Sequence, residues 1–123
     1  MRIITDLKRF QKPASKKLIL AIGNFDGFHL GHQKLLSYVA DQAKKHRALS
    51  AVLTFRQHPQ IVLHPEKKQQ LLFSLEQKLF YLGRAGIGVC FLQSFTPSFS
   101  MMSPEDFVTK VLVRKLHVLE VCM

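Results

Sequence analysis

The stretch KLILAIGNFDGFHLGHQKLL, residues 17–36, decides how the chain folds. Its first seven residues are an apolar run stopped by Gly23, the pattern of a short buried strand. From Leu30 onward the period changes. Leu35, Leu36, Val39, Ala40 and Ala43 recur at helical spacing as far as the cations of KKHR, residues 44–47. Between strand and helix lie Gly23, Asn24, Asp26, Gly27, His29, Gly31 and His32, which gain little from packing. A strand, a glycine-rich turn and a helix in that order form the opening unit of an open α/β sheet.

Working outward, LSAVLTF (49–55) reads as a second buried strand, and RQHPQIVLHPEKKQQ (56–70) as a loop biased by its two His-Pro pairs. SLEQKLFYLGRAG (74–86) opens with a capping box, Ser74 with Gln77. Leu75, Leu79 and Leu82 share one face of this helix, and Gly83 or Gly86 ends it. IGVCFLQ (87–93) is a third strand and SFTPSFSMM (94–102) a loop. A helix starts at Ser103 as N-cap, with Pro104 in its first position and two acids in its first turn, and runs to Leu116. HVLEVCM (117–123) is a fourth strand. Residues 5–17, polar and basic, read as a lead-in loop or short helix. The order β-α-β-α-β-α-β implies parallel strands with right-handed helical crossovers, a Rossmann-like open sheet.

Length suits one domain, and 47% apolar residues suffice for a core. No apolar run approaches the roughly 20 residues that span a bilayer. The N-terminus has no signal-peptide pattern. Cys90 and Cys122 lie in apolar runs and read as buried free thiols in a reducing cytoplasm. The formal charge is +10. Its cations are scattered in small clusters, so charge alone selects no partner: solvated helix faces and an anion-gathering field both fit. Cations are not interleaved with aromatics and no RNA-binding motif occurs, which argues against a nucleic-acid partner. A non-enzymatic anion binder would show affinity falling steeply with salt.

The turn at 23–32 is built for an anion. Ligands of open α/β sheets sit at the carboxyl ends of the strands. The first helical turn offers free N–H groups and a positive dipole end. Glycine at 27 and 31 lets a ligand approach the main chain or lets φ turn positive. The stretch holds neither G-x-x-x-x-G-K-[ST] nor G-x-G-x-x-G. His29 and His32 flank Gly31, and near a helix start both imidazoles can point to one spot. There they would hold polyphosphate oxygens and stabilise charge growing on departing pyrophosphate. As a metal pair they lack i, i+4 spacing and a convincing third ligand, so no zinc site is expected. The GNFDG segment (23–27) also reads as a tight Asn/Asp/Gly turn, which leaves the two histidines unexplained. Asp26 fits a turn role in that segment.

GNFDGFHLGHQ (23–33) resembles the H-x-G-H signature of the nucleotidyltransferase superfamily. With VLTFRQHP (52–59), SLEQK (74–78), FTPSFSMMSPEDFV (95–108) and LVRKLHV (112–118), it looks like the FMN adenylyltransferase module of bacterial bifunctional riboflavin kinase/FAD synthetases. The resemblance implies adenylyl transfer from ATP to FMN, giving FAD and pyrophosphate, with Mg²⁺. It implies His29 and His32 as phosphate ligands, and Gly23, Asn24, Phe25 and Gly31, with Asp26 and Gly27, as the nucleotide cradle. His58 and Pro59 would lie near the flavin entrance. The tetrad is shared with other nucleotidyltransferases, so a different phosphorylated acceptor is the alternative, alongside a non-enzymatic nucleotide-binding fragment. Two departures stand out. Arg56-Gln57 replaces the acid and proline that usually precede the His-Pro pair. The flavin-holding Gly-x-Asp/Asn-Phe segment, the Ser/Thr…Arg segment and the kinase barrel that normally follow are absent from residues 1–123, which implies a partial domain inactive or nearly so by itself.

Overall fold

A computed structural model describes residues 1–6, 10, 16–25, 30–56, 74–94, 101–107, 110, 112, 116 and 118–122. Strands β2 (Leu18–Ile22), β3 (Leu49–Phe55), β4 (Val89–Gln93) and β5 (Val118–Cys122) fall within the runs expected from the sequence. A further strand, β1 (Arg2–Ile4), was not expected. It adds to the edge of the sheet by parallel pairing with β4, Arg2 opposite Val89. Three residues are too few for a periodic signal, and the pairing edge of β4, not the segment's own pattern, makes them a strand.

The five strands run parallel in the order β1-β4-β3-β2-β5. The chain winds outward from β2 through β3 to β4, then returns to place β5 on the other side of β2. Helices α1 (Leu30–His46) and α2 (Leu75–Arg84) cover one face. There Leu36, Val39, Ala43 and Leu82 pack on Ile19, Ala21, Val52 and Cys90. The opposite face carries Leu18, Leu20, Ala51, Leu53 and Phe91, covered by Phe10, Leu112 and Leu116. Alternate residues of each strand thus enter alternate cores, and the continuous apolar strands are those of a sheet buried on both faces.

Within residues 5–17, read as a lead-in loop or short helix, Phe10 belongs to the core. Only 4% exposed, it meets Phe91 edge-on at a ring separation of 4.9 Å, with Arg2 over its own ring. The helix expected from Ser103 begins as drawn. Ser103 Oγ accepts from Asp106 N at 3.1 Å, and Pro104–Asp106 form the α-helical start, α3. Phe107, Lys110 and Leu112 then lie in wider, π-type turns rather than a regular α-helix. Cys90 is buried, which pushes its thiol up to about 11 against the opposing Lys78 charge. Cys122, expected buried, is half-buried on edge strand β5. Both thiols are free.

The α2 capping box forms in both directions. Ser74 Oγ accepts from Gln77 N at 3.1 Å, and Gln77 Oε1 from Ser74 N at 3.0 Å. Of the two glycines that could end the helix, Gly86 takes the role with φ of 91°. Ser50 fastens the turn that follows: its Oγ accepts from Gly88 N and donates to Gly86 O. Ser74→Ala should lower unfolding free energy by about 1 kcal/mol, read from the urea midpoint at unchanged slope. An unchanged midpoint would mean the box contributes nothing to α2.

Candidate active site

The candidate site lies where β2 ends and α1 begins, beside the point where strand winding reverses. That crevice outside the carboxyl ends is where open α/β sheets take ligands. Gly23 N still donates to Leu53 O at 3.2 Å, so the strand geometry persists one residue past β2. The Asn24 carbonyl then accepts from Thr54 Oγ1 at 3.1 Å. Thr54 is fully buried near the end of β3. Its hydroxyl has no apolar reason to be in that run; it fixes the loop's departure from the sheet.

Phe25 turns the chain back with a left-handed φ of 51°, a conformation that costs a non-glycine residue about 1 kcal/mol or more. Its ring is 1% exposed and belongs to the core under α1. Burial of that ring offsets the backbone strain. Gly23 accommodates it: a Cβ at 23 would stand 3.1 Å from the Phe25 ring. Gly23 therefore serves the protein's own turn, and the Phe25 ring belongs to the core beside it.

The Phe25 ring meets His32 at a centroid separation of 5.3 Å and an interplanar angle of 55°. His32 is half-buried, the third residue of α1, and so has one side backed by an aromatic wall. Gly31 is exposed, and a Cβ there would meet no atom within 4 Å among the described residues outside its own turn of α1. The first turn of α1 holds no acidic residue, while its last turn holds Lys44, Lys45 and His46. The positive end of the helix dipole thus remains uncompensated by its own first turn. The Asn24 side-chain oxygen Oδ1 is buried with no hydrogen-bond partner among the described residues. Such an acceptor costs about 1–3 kcal/mol unless a donor arrives.

The structure thus brings Gly23, Asn24, Phe25, Gly31 and His32 to one corner. Asp26, Gly27 and His29 lie outside the described residues, as do His58 and Pro59. Among the described residues no group of three or more His, Cys, Asp and Glu could hold a metal ion, and no helix is long and apolar enough to cross a membrane.

Sequence reasoning missed Thr54 and Lys78. A hydroxyl inside the AVLTF run (51–55) was the signal for the first. The second stands on the apolar stripe of α2 beside Leu75, Leu79 and Leu82, and a cation on such a stripe was visible in the sequence. Lys78 is only 8% exposed, and its Nζ donates to Phe55 O at 3.3 Å. Thr54→Val, which keeps shape and removes the donor, should cost about 1–2 kcal/mol by leaving the Asn24 carbonyl short of a partner. Denaturant unfolding measures it, and a neutral result would show that water replaces the hydroxyl.

A crystal structure described as a macrolide-efflux protein from Streptococcus pneumoniae shares the fold, with a TM-score of 0.79 at 22% identity, covering 98% of this chain and 40% of that one. Among curated proteins, the bifunctional riboflavin kinase/FMN adenylyltransferase of Buchnera aphidicola subsp. Schizaphis graminum is 33% identical over 118 residues, 96% of this chain and 38% of that protein. The protein of the same name from Listeria monocytogenes serovar 1/2a is 40% identical over 101 residues, 81% of this chain and 32% of that protein. The chain therefore spans about a third of the length of these relatives. A family model described as FAD synthetase matches residues 11–123. With the strand-turn-helix corner at residues 18–46 inside that match, the chain belongs to the FAD synthetase family.

Proposed function

We propose that this chain carries the adenylyl-transfer site of an FMN adenylyltransferase, joining the AMP part of ATP to FMN and releasing pyrophosphate. The observation that carries this reading is the corner itself. An unacidic helix start, an open Gly31 and a half-buried His32 stand beside a buried amide oxygen without a donor. That set suits a nucleotide: negative phosphates at the helix end and a donor group for Asn24 Oδ1. The names of the relatives support the substrates, ATP and FMN.

In the proposed step an oxygen of the FMN phosphate attacks the α-phosphorus of ATP. The new P–O bond forms as the bond from the α-phosphorus to the bridging oxygen breaks, and the electron pair leaves with pyrophosphate. The attacking phosphate is already largely ionised at neutral pH, so no strong general base is needed. What remains is alignment and charge stabilisation. His32, with His29, donates ring N–H to oxygens of the departing pyrophosphate. Gly31 lets the phosphates reach the helix N–H groups, Asn24 with Gly27 shapes the cradle, and His58 and Pro59 serve the acceptor side. Mg²⁺ would enter as counter-ion of the ATP tail, offsetting phosphate charge, and Asp26 would hold one of its waters.

The bifunctional relatives support a larger protein in which a riboflavin kinase module accompanies this one. A cytoplasmic location accords with ATP as substrate and with two free thiols. The test offers the complete gene product ATP with FMN, phosphopantetheine or nicotinate mononucleotide in parallel. FAD formation with FMN alone is expected. Transfer to either other acceptor, without FAD, would place the chain on a different reaction.

A further inference from the structure

Two cationic runs that stand apart in the sequence, at 16–17 and 44–47, meet in the fold. Lys17 immediately precedes β2, and Lys44 and Lys45 lie in the last turn of α1, with Arg47 just beyond it. Lys16 Nζ donates to Arg47 O at 3.3 Å, and Leu49 N donates to Lys17 O at 2.8 Å. Lys16, Lys17, Lys44, Lys45 and Arg47 therefore share one corner at the amino ends of β2 and β3. All but the half-buried Lys16 are exposed. The 17 residues of α1, a length of about 25 Å, separate this corner from the turn that holds Gly31 and His32.

A helix end attracts cations, but its dipole supplies only about half a charge. Residues 7–17 and 42–57 contain no acid. Among the described residues, Lys17, Lys44, Lys45 and Arg47 have no ion-pair partner. Like charges gathered at one corner repel one another. Arg47 adds a second cost. Its φ of 52° is left-handed, at the place after a helix where glycine usually stands. Arg47 is exposed, so burial of its side chain does not offset that strain as it does for Phe25. A cation thus stands where neighbouring charge and its own backbone both oppose it, and an anionic ligand would relieve the first. We propose that this corner is a docking surface for an acidic segment of a partner protein. Exposed ammonium groups meet carboxylates singly, and the Arg47 guanidinium can hold one by two parallel bonds. Other polyanions fit the corner less well. Residues 16–17 and 42–50 contain no Phe, Tyr or Trp on which nucleic-acid bases could stack. The exposed large hydrophobics among the described residues lie elsewhere, so the corner offers no apolar anchor to a lipid surface.

The test titrates an oligo-glutamate peptide into the complete gene product and its variants. Lys44→Gln combined with Lys45→Gln should weaken binding about tenfold, each exposed charge pair contributing about threefold. Arg84→Gln combined with Lys110→Gln removes the same net charge elsewhere and should stay within about twofold of wild type. Arg47→Gly should weaken binding about threefold and at the same time raise the thermal unfolding midpoint, because glycine relieves the left-handed backbone. Weaker binding in a more stable protein is a loss of contact and not of fold. Equal weakening by the two double variants would show a diffuse field and overturn the proposal. No binding to the wild-type protein, or full binding to Arg47→Gly and to the Lys44/Lys45 variant, would also overturn it. Phosphatidylserine vesicles and duplex DNA are titrated in parallel. Tighter binding of either one than of the peptide, lost in the Lys44/Lys45 variant, would give the surface to that partner and overturn the assignment to an acidic protein segment.

Discussion

Replacing His32 with alanine should lower kcat for FAD formation about 10²–10³-fold, the usual loss when one donor to a developing oxyanion is removed. The expectation follows from where the ring stands. Its residue is the third of α1, half-buried, and the buried Phe25 ring supports it at 5.3 Å. A supported ring spends little free energy on being oriented during the reaction. In the proposed reaction its N–H would meet charge that is larger on leaving pyrophosphate than on bound ATP, so kcat should suffer more than KM for ATP. Loss of the ring contact with Phe25 should cost about 0.5–1.5 kcal/mol of stability, too little to unfold a typical domain. His32→Asn, which keeps an N–H donor, should recover part of the activity. Turnover of wild-type size in His32→Ala would remove His32 from the mechanism, and an equal loss in thermal stability would make its role structural.

Gly31→Ala should weaken ATP binding by tenfold or more while leaving the fold as stable or slightly more so. The two effects have opposite signs because they have different origins. In the protein alone a methyl at 31 meets no atom within 4 Å among the described residues outside its own turn of α1. Gly31 also lies inside α1, where alanine is favoured over glycine by up to about 1 kcal/mol. No packing among the described residues therefore asks for glycine. A phosphate drawn to the helix N–H groups does, because the methyl would stand in its approach. Equilibrium binding of a non-hydrolysable ATP analogue, with thermal unfolding on the same samples, separates the effects. Undiminished binding would mean that the nucleotide does not approach α1 at Gly31. Gly23 provides the contrast: a Cβ there strikes the Phe25 ring, so Gly23→Ala should destabilise the fold with or without nucleotide.

The central strands and the first two helices were legible because each carries a period or a cap that local physics reads directly. LILAI and LSAVLTF are too apolar for any place except a sheet covered on both faces, and the structure puts each between two cores. Ser74 and Gln77 announced α2 and cap it as expected. What escaped were features set by partners distant in sequence. Arg2–Ile4 is a strand because β4 offers an edge. Phe10 is core because Phe91 lies opposite it. The left-handed backbone of Phe25 and the contact of its ring with His32 are specified by no local pattern. Thr54 and Lys78 were visible as a hydroxyl and a cation among apolar neighbours, yet what they hold, Asn24 and Phe55, lies 30 and 23 residues away.

The most direct measurement follows the label from ATP in a reaction of the complete gene product with FMN. Label on the α-phosphorus should appear in FAD, and label on the γ-phosphorus should appear in pyrophosphate, with FAD and pyrophosphate formed one for one. γ-Label carried into the flavin, or release of pyrophosphate with no FAD, would contradict adenylyl transfer at the β2–α1 corner.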